Sequence, residues 1–118
     1  MLGLDLRSWM PSSFDLRRLY LKNCDLWGVD LTGADLRGSN LSLSRLDLAA
    51  LTGADLSGSD LEGADFTGAD LTGANLSSTA LSATRFNDAT THTMVVDDAW
   101  GLLEDQQDYL RYRGVDVL

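Results

Sequence analysis

The sequence predicts a solenoid built from short repeats, because one apolar position recurs every five residues over most of the chain. Every fifth residue from Leu16 to Phe86 is Leu or Phe, fifteen positions in succession. A period of five fits neither an α-helix, whose faces repeat every 3.6 residues, nor a strand, whose faces alternate every two. An internal repeat of this regularity decides the architecture before local propensity does.

Each five-residue unit has the same character around its central Leu or Phe. The residue two before the centre is small, the residue one before it is usually Asp or Asn, and the residue two after it is often Gly. Residues 54–58, Ala-Asp-Leu-Ser-Gly, carry the whole pattern. We expect the small and the central residue to point inward. The other three face water and form the turns, where Gly tolerates unusual dihedral angles.

This pattern resembles the pentapeptide-repeat family over about residues 14–93. The resemblance implies an all-β solenoid, a right-handed, four-sided parallel β-helix in which each pentapeptide forms one side and four form a coil. About four coils would stack at strand spacing, about 4.8 Å. Because the ends of a solenoid need caps, we expect a distorted N-terminal cap over residues 1–13 and a C-terminal helix and tail over residues 94–118.

The last part of the chain predicts a helix over about residues 97–113. Its apolar residues have the spacing of one helical face, acidic residues lie at its start, and arginines lie at its end before Gly114. That polarity suits the helix dipole and a glycine stop. The segment either covers the open end of the last coil or completes a homodimer. The candidate residues for this cap or dimer contact are Trp100, Leu103, Tyr109, Leu110 and Tyr112.

The charge of the chain favours a basic protein partner. The formal net charge is −9, and residues 46–108 carry twelve carboxylates against one cation, Arg85. Direct nucleic-acid binding through a basic footprint is therefore disfavoured. Carboxylates repeating at about 5 Å repel one another unless turn N–H groups or a cationic partner compensate, so local structure and recognition both remain open. The candidate acidic recognition face consists of Asp15, Asp35, Asp55 and Asp60.

A second column of charges alternates in sign and predicts a ladder of salt bridges. Residues twenty positions apart share a side of the expected β-helix, which brings together Asp25, Arg45, Asp65 and Arg85. Exposed pairs of this kind contribute only about 0–1 kcal/mol each, so we expect structural support from them rather than recognition.

The sequence predicts neither catalysis nor a cofactor or metal site. His92 is the only histidine and Cys24 the only cysteine, so no zinc site and no set of nucleophile and base can be assembled. The chain contains no run of 18 apolar residues, so the sequence predicts no membrane-spanning helix. The first residues lack a basic stretch followed by an apolar one, so we expect no signal peptide and a cytoplasmic location.

Three functions fit these features. The leading hypothesis is a non-enzymatic protein-interaction scaffold that presents a rigid acidic surface. The resemblance offers a second, because a DNA-mimicking branch of the family binds, inhibits or protects DNA gyrase and topoisomerase IV, with resistance to quinolones as the consequence. A type II topoisomerase would then be the partner. Because four coils are short for a mimic of DNA, a homodimer joined at the C-terminal end would supply the remaining length. The third is a purely structural assembly subunit.

Overall fold

The computed structural model describes residues 15–117, so the expected N-terminal cap over residues 1–13 lies outside the described residues. The chain winds as a four-sided solenoid. From Asp15 to Ala80, every fifth residue forms a parallel β-bridge with the residue twenty positions further along, and the last bridge joins Ala80 to Trp100. Within the described range each bridged residue is isolated, and none belongs to a longer strand.

The columns of bridged residues define four sides. Side 1 carries Asp15, Asp35, Asp55, Asn75 and Val95, and side 2 carries Tyr20, Asn40, Asp60, Ala80 and Trp100. Side 3 carries Asp25, Arg45, Asp65 and Arg85, and side 4 carries Asp30, Ala50, Asp70 and Thr90. Sides 1 and 2 therefore reach a fifth level, one more than sides 3 and 4. The principal dimensions of the molecule are 36 × 22 × 21 Å.

A tight turn joins each side to the next. At the corner after Leu51, Gly53 has φ +68° and the N–H of Ala54 donates to the carbonyl oxygen of Leu51 at 3.0 Å. A positive φ at the third turn position together with this bond is the arrangement of a type II turn. Within residues 15–117, nine residues other than Gly, among them Ala83 at φ 58°, adopt the same conformation at equivalent corners. Glycine is thus favoured at the corners but not required at each.

The central residues of the repeat form one continuous core. All fifteen, from Leu16 to Phe86, are at most 4% exposed. On side 3 the rings of Phe66 and Phe86 stack with centroids 5.6 Å apart and planes inclined by 6°. Burying a side chain of this size stabilises a protein by roughly 1.5–3 kcal/mol, so the core supplies most of the favourable free energy.

The solenoid continues beyond residue 93, where we expected the repeat to end. Thr91 and Val96 occupy the next two central positions and are 3% and 6% exposed. A β-branched residue fills the narrow interior there in place of leucine. Gly101 holds the central position after that. Since Gly101 has no side chain to place in the core, the solenoid stops at this level.

The only helix among residues 15–117 is α1, Glu104–Tyr112. The predicted start near residue 97 is wrong, because residues 97–100 still belong to the solenoid. The end of α1 is a Schellman motif, in which Gly114 has φ 87° and the N–H of Val115 donates to the carbonyl oxygen of Leu110 at 2.9 Å. Leu110 and Val115 are both buried in the core cluster.

Polar bonds fix α1 against the last level of side 3. The side-chain amide of Gln106 donates to the carbonyl oxygen of Thr84 at 2.9 Å, and the N–H of Asp88 donates to the Tyr109 hydroxyl at 3.1 Å. The guanidinium of Arg113 donates to the carbonyl oxygen of Ala89 at 2.8 Å. α1 is therefore held at both of its ends.

Candidate functional site

The predicted acidic face divides between two sides of the solenoid. Asp15, Asp35 and Asp55 share the side 1 column, and Asp60 belongs to side 2. Sequence reasoning placed the three side 1 carboxylates together. It did not anticipate how closely two arginines of the same side would engage them.

On side 1 the carboxylates and arginines alternate as an ion-pair ladder. A guanidinium nitrogen of Arg17 lies 2.9 Å from the carboxylate of Asp15 and another lies 3.7 Å from Asp35. Arg37 repeats the arrangement one level further, at 2.7 Å from Asp35 and 3.9 Å from Asp55. Each arginine also makes a two-pronged hydrogen bond to the aspartate two residues before it. Three carboxylates are thus balanced by two guanidinium groups, and little net charge remains.

Acid titration tests this pairing. The pKa of Asp15 is lowered to about 2, first by the side-chain hydrogen bond from Arg17 and then by the backbone N–H of Arg17. A lowered folded-state pKa stabilises the fold above the unfolded value of about 3.9, and this contribution is lost as the pH falls from about 4 to about 2. We expect Arg17→Ala to return the pKa of Asp15 toward its ordinary value, measured by NMR of the carboxyl carbon.

Arg18→Ala is the matched control for that titration, because Arg18 forms no ion pair with any residue of the 15–117 range. Asp15 should keep its low pKa in this variant. An Asp15 carboxyl that titrates at its ordinary pKa in the unaltered protein would show that the ladder does not form in solution.

The aspartates also serve the local backbone. Oδ1 of Asp60 accepts the backbone N–H of Glu62 at 3.0 Å. The same bond to the N–H two residues on is made by Asp25, Asp30, Asp55, Asp65, Asp70, Asn40 and Asn75. Asparagine does this as well as aspartate, so the carbonyl-type oxygen suffices and the charge is surplus to the turn.

Some carboxylates of the described residues form no ion pair, although Lys22 lines the same surface depression as Asp60 and Glu62. Asp30, Asp70, Asp60 and Glu62 form no ion pair within the described part of the chain. Arg85 is the single Lys or Arg between residues 46 and 110. Sides 2 and 4 therefore carry the unpaired carboxylates that the predicted column on side 1 lacks.

The salt-bridge ladder predicted for side 3 is confirmed in part, because Asp25 pairs with Arg45 and Asp65 with Arg85, whereas no ion pair joins Arg45 to Asp65. Arg45 lies 4.0 Å from Asp25 and 3.2 Å from Asp47 of its own level. Arg85 lies 3.8 Å from Asp65. Side 3 is therefore close to neutral, as its alternating sequence indicates.

The candidate cap or dimer residues point in different directions. Leu110 is fully buried, and Tyr109 packs against the core. Trp100, Leu103 and Tyr112 are 60%, 68% and 87% exposed. The prediction that Trp100 and Leu103 cover the end of the last coil is wrong. In the repeat, residue 100 takes the bridged, outward position, and Leu103 precedes the first turn of α1.

The remaining chemistry of the described surface is limited. No cluster of three or more metal-ligating side chains occurs within residues 15–117, and no helix there is long and apolar enough to span a membrane. A groove of about 350 Å³ runs between α1 and side 3, and its lining includes Arg85, Asp105 and Tyr109. The groove is a shallow depression where α1 packs against side 3.

Comparison with solved structures places this geometry among repeat proteins. The pentapeptide repeat protein alr5209 from Nostoc Pcc 7120 is 30% identical, with a TM-score of 0.70 over 88% of this chain and 84% of that one. Rfr23 from the cyanobacterium Cyanothece 51142 is 28% identical, with a TM-score of 0.53 over 72% of this chain and 62% of its own. The chain thus matches under two thirds of Rfr23.

A more distant likeness is to QnrB1, a plasmid-mediated fluoroquinolone resistance protein. Its identity is 15% and its TM-score 0.31, which is too remote to bear on function. No curated protein sequence matches the chain significantly.

The family model for pentapeptide repeats matches eight copies, over residues 15–53 and 49–88. Proteins with this repeat form right-handed β-helical solenoids and are generally non-enzymatic structural repeat proteins. The four bridged columns and the leucine core are what that repeat produces. The chain therefore belongs to the pentapeptide-repeat family.

Proposed function

We propose that this protein is a non-enzymatic interaction scaffold that presents a rigid acidic surface to a protein partner. The observation that carries the proposal is a pair of carboxylates on side 2 that form no ion pair within residues 15–117. Asp60 and Glu62 lie there on a backbone fixed by bonds to the levels above and below. A preorganised surface loses little conformational entropy on binding, and a basic partner would relieve the repulsion between neighbouring carboxylates.

Recognition through side 2 is favoured over the predicted column on side 1. Asp35 already has two guanidinium neighbours, Arg17 and Arg37, so a partner would have to displace existing ion pairs. The same ladder weighs against DNA mimicry, which needs a row of free negative charges resembling phosphates. The candidate face therefore reduces to Asp60 with its neighbour Glu62.

Partner capture tests the proposal. We would immobilise the protein, expose it to a lysate of the source organism and identify the retained proteins by mass spectrometry. The variant Asp60→Asn/Glu62→Gln keeps the acceptor oxygen for the turn and removes two charges. We expect it to retain at least about threefold less partner, because each lost charge contact contributes a few tenths of a kcal/mol or more.

Asp30→Asn/Asp70→Asn is the matched control, since it removes two equally unpaired charges from side 4. This variant should retain the partner fully. Equal losses in both variants would reduce the effect to bulk charge, and no specific retention by the unaltered protein would overturn the scaffold proposal. Recovery of a type II topoisomerase as the partner would favour DNA mimicry over the scaffold function.

A further inference from the structure

The C-terminal end of side 2 exposes two large apolar side chains that lie three residues apart in the chain. Trp100 closes the side 2 column below Ala80 and is 60% exposed. Leu103 follows three residues later, directly before α1, and is 68% exposed. We refer to Trp100 and Leu103 as the apolar patch. Tryptophan is among the residues that most often dominate the energy of protein interfaces.

The backbone under the patch is fixed. The N–H of Trp100 donates to the carbonyl oxygen of Thr79 at 3.0 Å, and its carbonyl oxygen accepts the N–H of Leu81 at 2.8 Å. The N–H of Leu103 donates to the side-chain oxygen of Gln106 at 2.9 Å. The two side chains are therefore displayed from ordered positions, which lowers the entropy lost when a partner binds them.

The charged residues that flank the patch in the chain are acidic, and one of them, Asp105, also lines the groove that contains Arg85. Asp98 precedes it at the corner of sides 1 and 2, Glu104 and Asp105 follow it in the first turn of α1, and Asp60 lies two levels above Trp100 on side 2. None of these four carboxylates pairs with a cation of the described chain. An apolar centre with an acidic rim is complementary to a segment that is apolar on one face and basic at its edges.

We propose that this patch binds a basic, amphipathic segment of a partner protein. The inference rests on the proposed function and names the partner's chemistry. Apolar side chains of the segment pack on Trp100 and Leu103, and its Lys or Arg side chains reach the surrounding carboxylates. A Lys or Arg side chain of the segment that lies over the indole adds a cation–π contact.

A second copy of this chain fits the patch less well. Residues 86–117 carry seven carboxylates against two arginines, so a two-fold contact between C-terminal ends would bring like charges together. The exposed Tyr112 does not change that balance. Self-association is therefore an outcome to be tested and not the occupant we propose.

The test uses a synthetic amphipathic helix of leucine and lysine, about 18 residues long, labelled for fluorescence anisotropy. A scrambled peptide of the same composition removes the apolar face and keeps the charge. We expect the amphipathic peptide to bind at least about tenfold more tightly than the scrambled one, and Trp100→Ala to weaken its binding at least about tenfold. Because Trp100 is exposed, the variant should keep the circular dichroism spectrum of the unaltered protein.

Tyr20→Ala is the matched control. Tyr20 stands in the same column as Trp100 and is equally exposed at 60%, but its neighbours Arg18 and Lys22 are basic. Its removal should change peptide affinity less than twofold, within the range of a near-neutral contact. Equal effects of the two variants, or equal binding of the two peptides, would overturn the inference.

A second pair of variants tests the rim. Asp98→Asn/Glu104→Gln should weaken peptide binding several-fold, whereas Asp30→Asn/Asp70→Asn removes the same charge from side 4 and should not. Analytical sedimentation of the free protein tests self-association. A dimer that the Trp100→Ala substitution dissociates would show that the patch binds a second copy of the chain, and it would refute the proposal. The partner-capture experiment separates this inference from the proposed function. If Trp100→Ala retains the captured partner fully while Asp60→Asn/Glu62→Gln loses it, the inference is refuted and the scaffold function is supported.

Discussion

Phe66→Ala is expected to lower the free energy of unfolding by about 3–5 kcal/mol, the range for deleting a buried aromatic side chain. Phe66 has no exposed surface, and its ring stacks on Phe86 of the next level of side 3. The variant loses the burial of the ring, leaves a cavity in a narrow interior, and removes a stacking contact that adds about 0.5–1.5 kcal/mol. Urea denaturation followed by circular dichroism measures the loss.

Phe66→Leu separates the cavity from the ring. Leucine is the residue that thirteen of the fifteen repeat centres already use, so it fits the interior and gives up mainly the stack with Phe86. We expect a cost of about 1 kcal/mol, as for other volume-similar core exchanges. If Phe66→Ala costs no more than Phe66→Leu, the interior at this level collapses around the change and the core is less rigid than the structure indicates.

Cooperativity needs its own check in this experiment. In a solenoid each level contacts only its neighbours, so a weakened middle can let the two ends unfold separately. Tryptophan fluorescence should report the same transition as circular dichroism in both variants if unfolding remains two-state. Transitions that do not coincide would make a single free energy of unfolding undefined for Phe66→Ala.

The repeat core could be predicted from the sequence because every central side chain fills the same interior cross-section of the solenoid. A buried Leu or Phe at every fifth residue leaves few other arrangements. The reasoning missed Thr91 and Val96, since neither is Leu or Phe, although both are β-branched and small enough to be buried at the centre. A rule that accepted β-branched residues would have carried the solenoid to residue 100.

The start of the C-terminal helix was predicted wrongly because the same residues fit two different periodicities. Val96, Trp100 and Leu103 have a spacing that suits a helix, but Val96 and Trp100 also occupy the central and bridged positions of the five-residue register. Periodicity alone does not distinguish these readings over so short a stretch. Continuity with the preceding bridges decides for the solenoid, and it turns Trp100 outward.

The charges were the least predictable part of the candidate site. Sequence places Arg17 and Arg37 near the acidic column, but the reach of each guanidinium to the aspartate of its own level and to the next is a matter of side-chain geometry. The side 3 ladder was easier to predict, because there the opposite charges themselves alternate down one column.

Gly101→Ala is expected to destabilise the protein by about 2–4 kcal/mol, combining a left-handed backbone conformation with a steric clash. Gly101 has φ +95°, and a Cβ built on it would lie 2.8 Å from the backbone nitrogen of Ser82. That atom belongs to the level above and cannot move without shifting the bridge between Ala80 and Trp100. Urea denaturation measures the loss.

Gly53→Ala is the matched control, because Gly53 also has positive φ, at +68°, but a Cβ there would meet nothing within 4 Å. Ala83 already adopts this corner conformation at φ 58°. We expect a cost of about 1 kcal/mol, set by backbone conformation alone. Equal losses in the two variants would show that the last turn moves away from Ser82 at no cost and that the clash is not the cause.

Amide hydrogen exchange locates the effect of Gly101→Ala. The N–H groups of Leu81 and Trp100, which bond across the last level, should exchange faster, whereas the N–H of Asp55 in the middle of the solenoid should not. Since the same bonds hold Trp100 outward, Gly101→Ala should also weaken binding of the amphipathic peptide while Gly53→Ala leaves it intact. A variant that loses the bonds but keeps the peptide would mean that the apolar patch needs no ordered backbone beneath it.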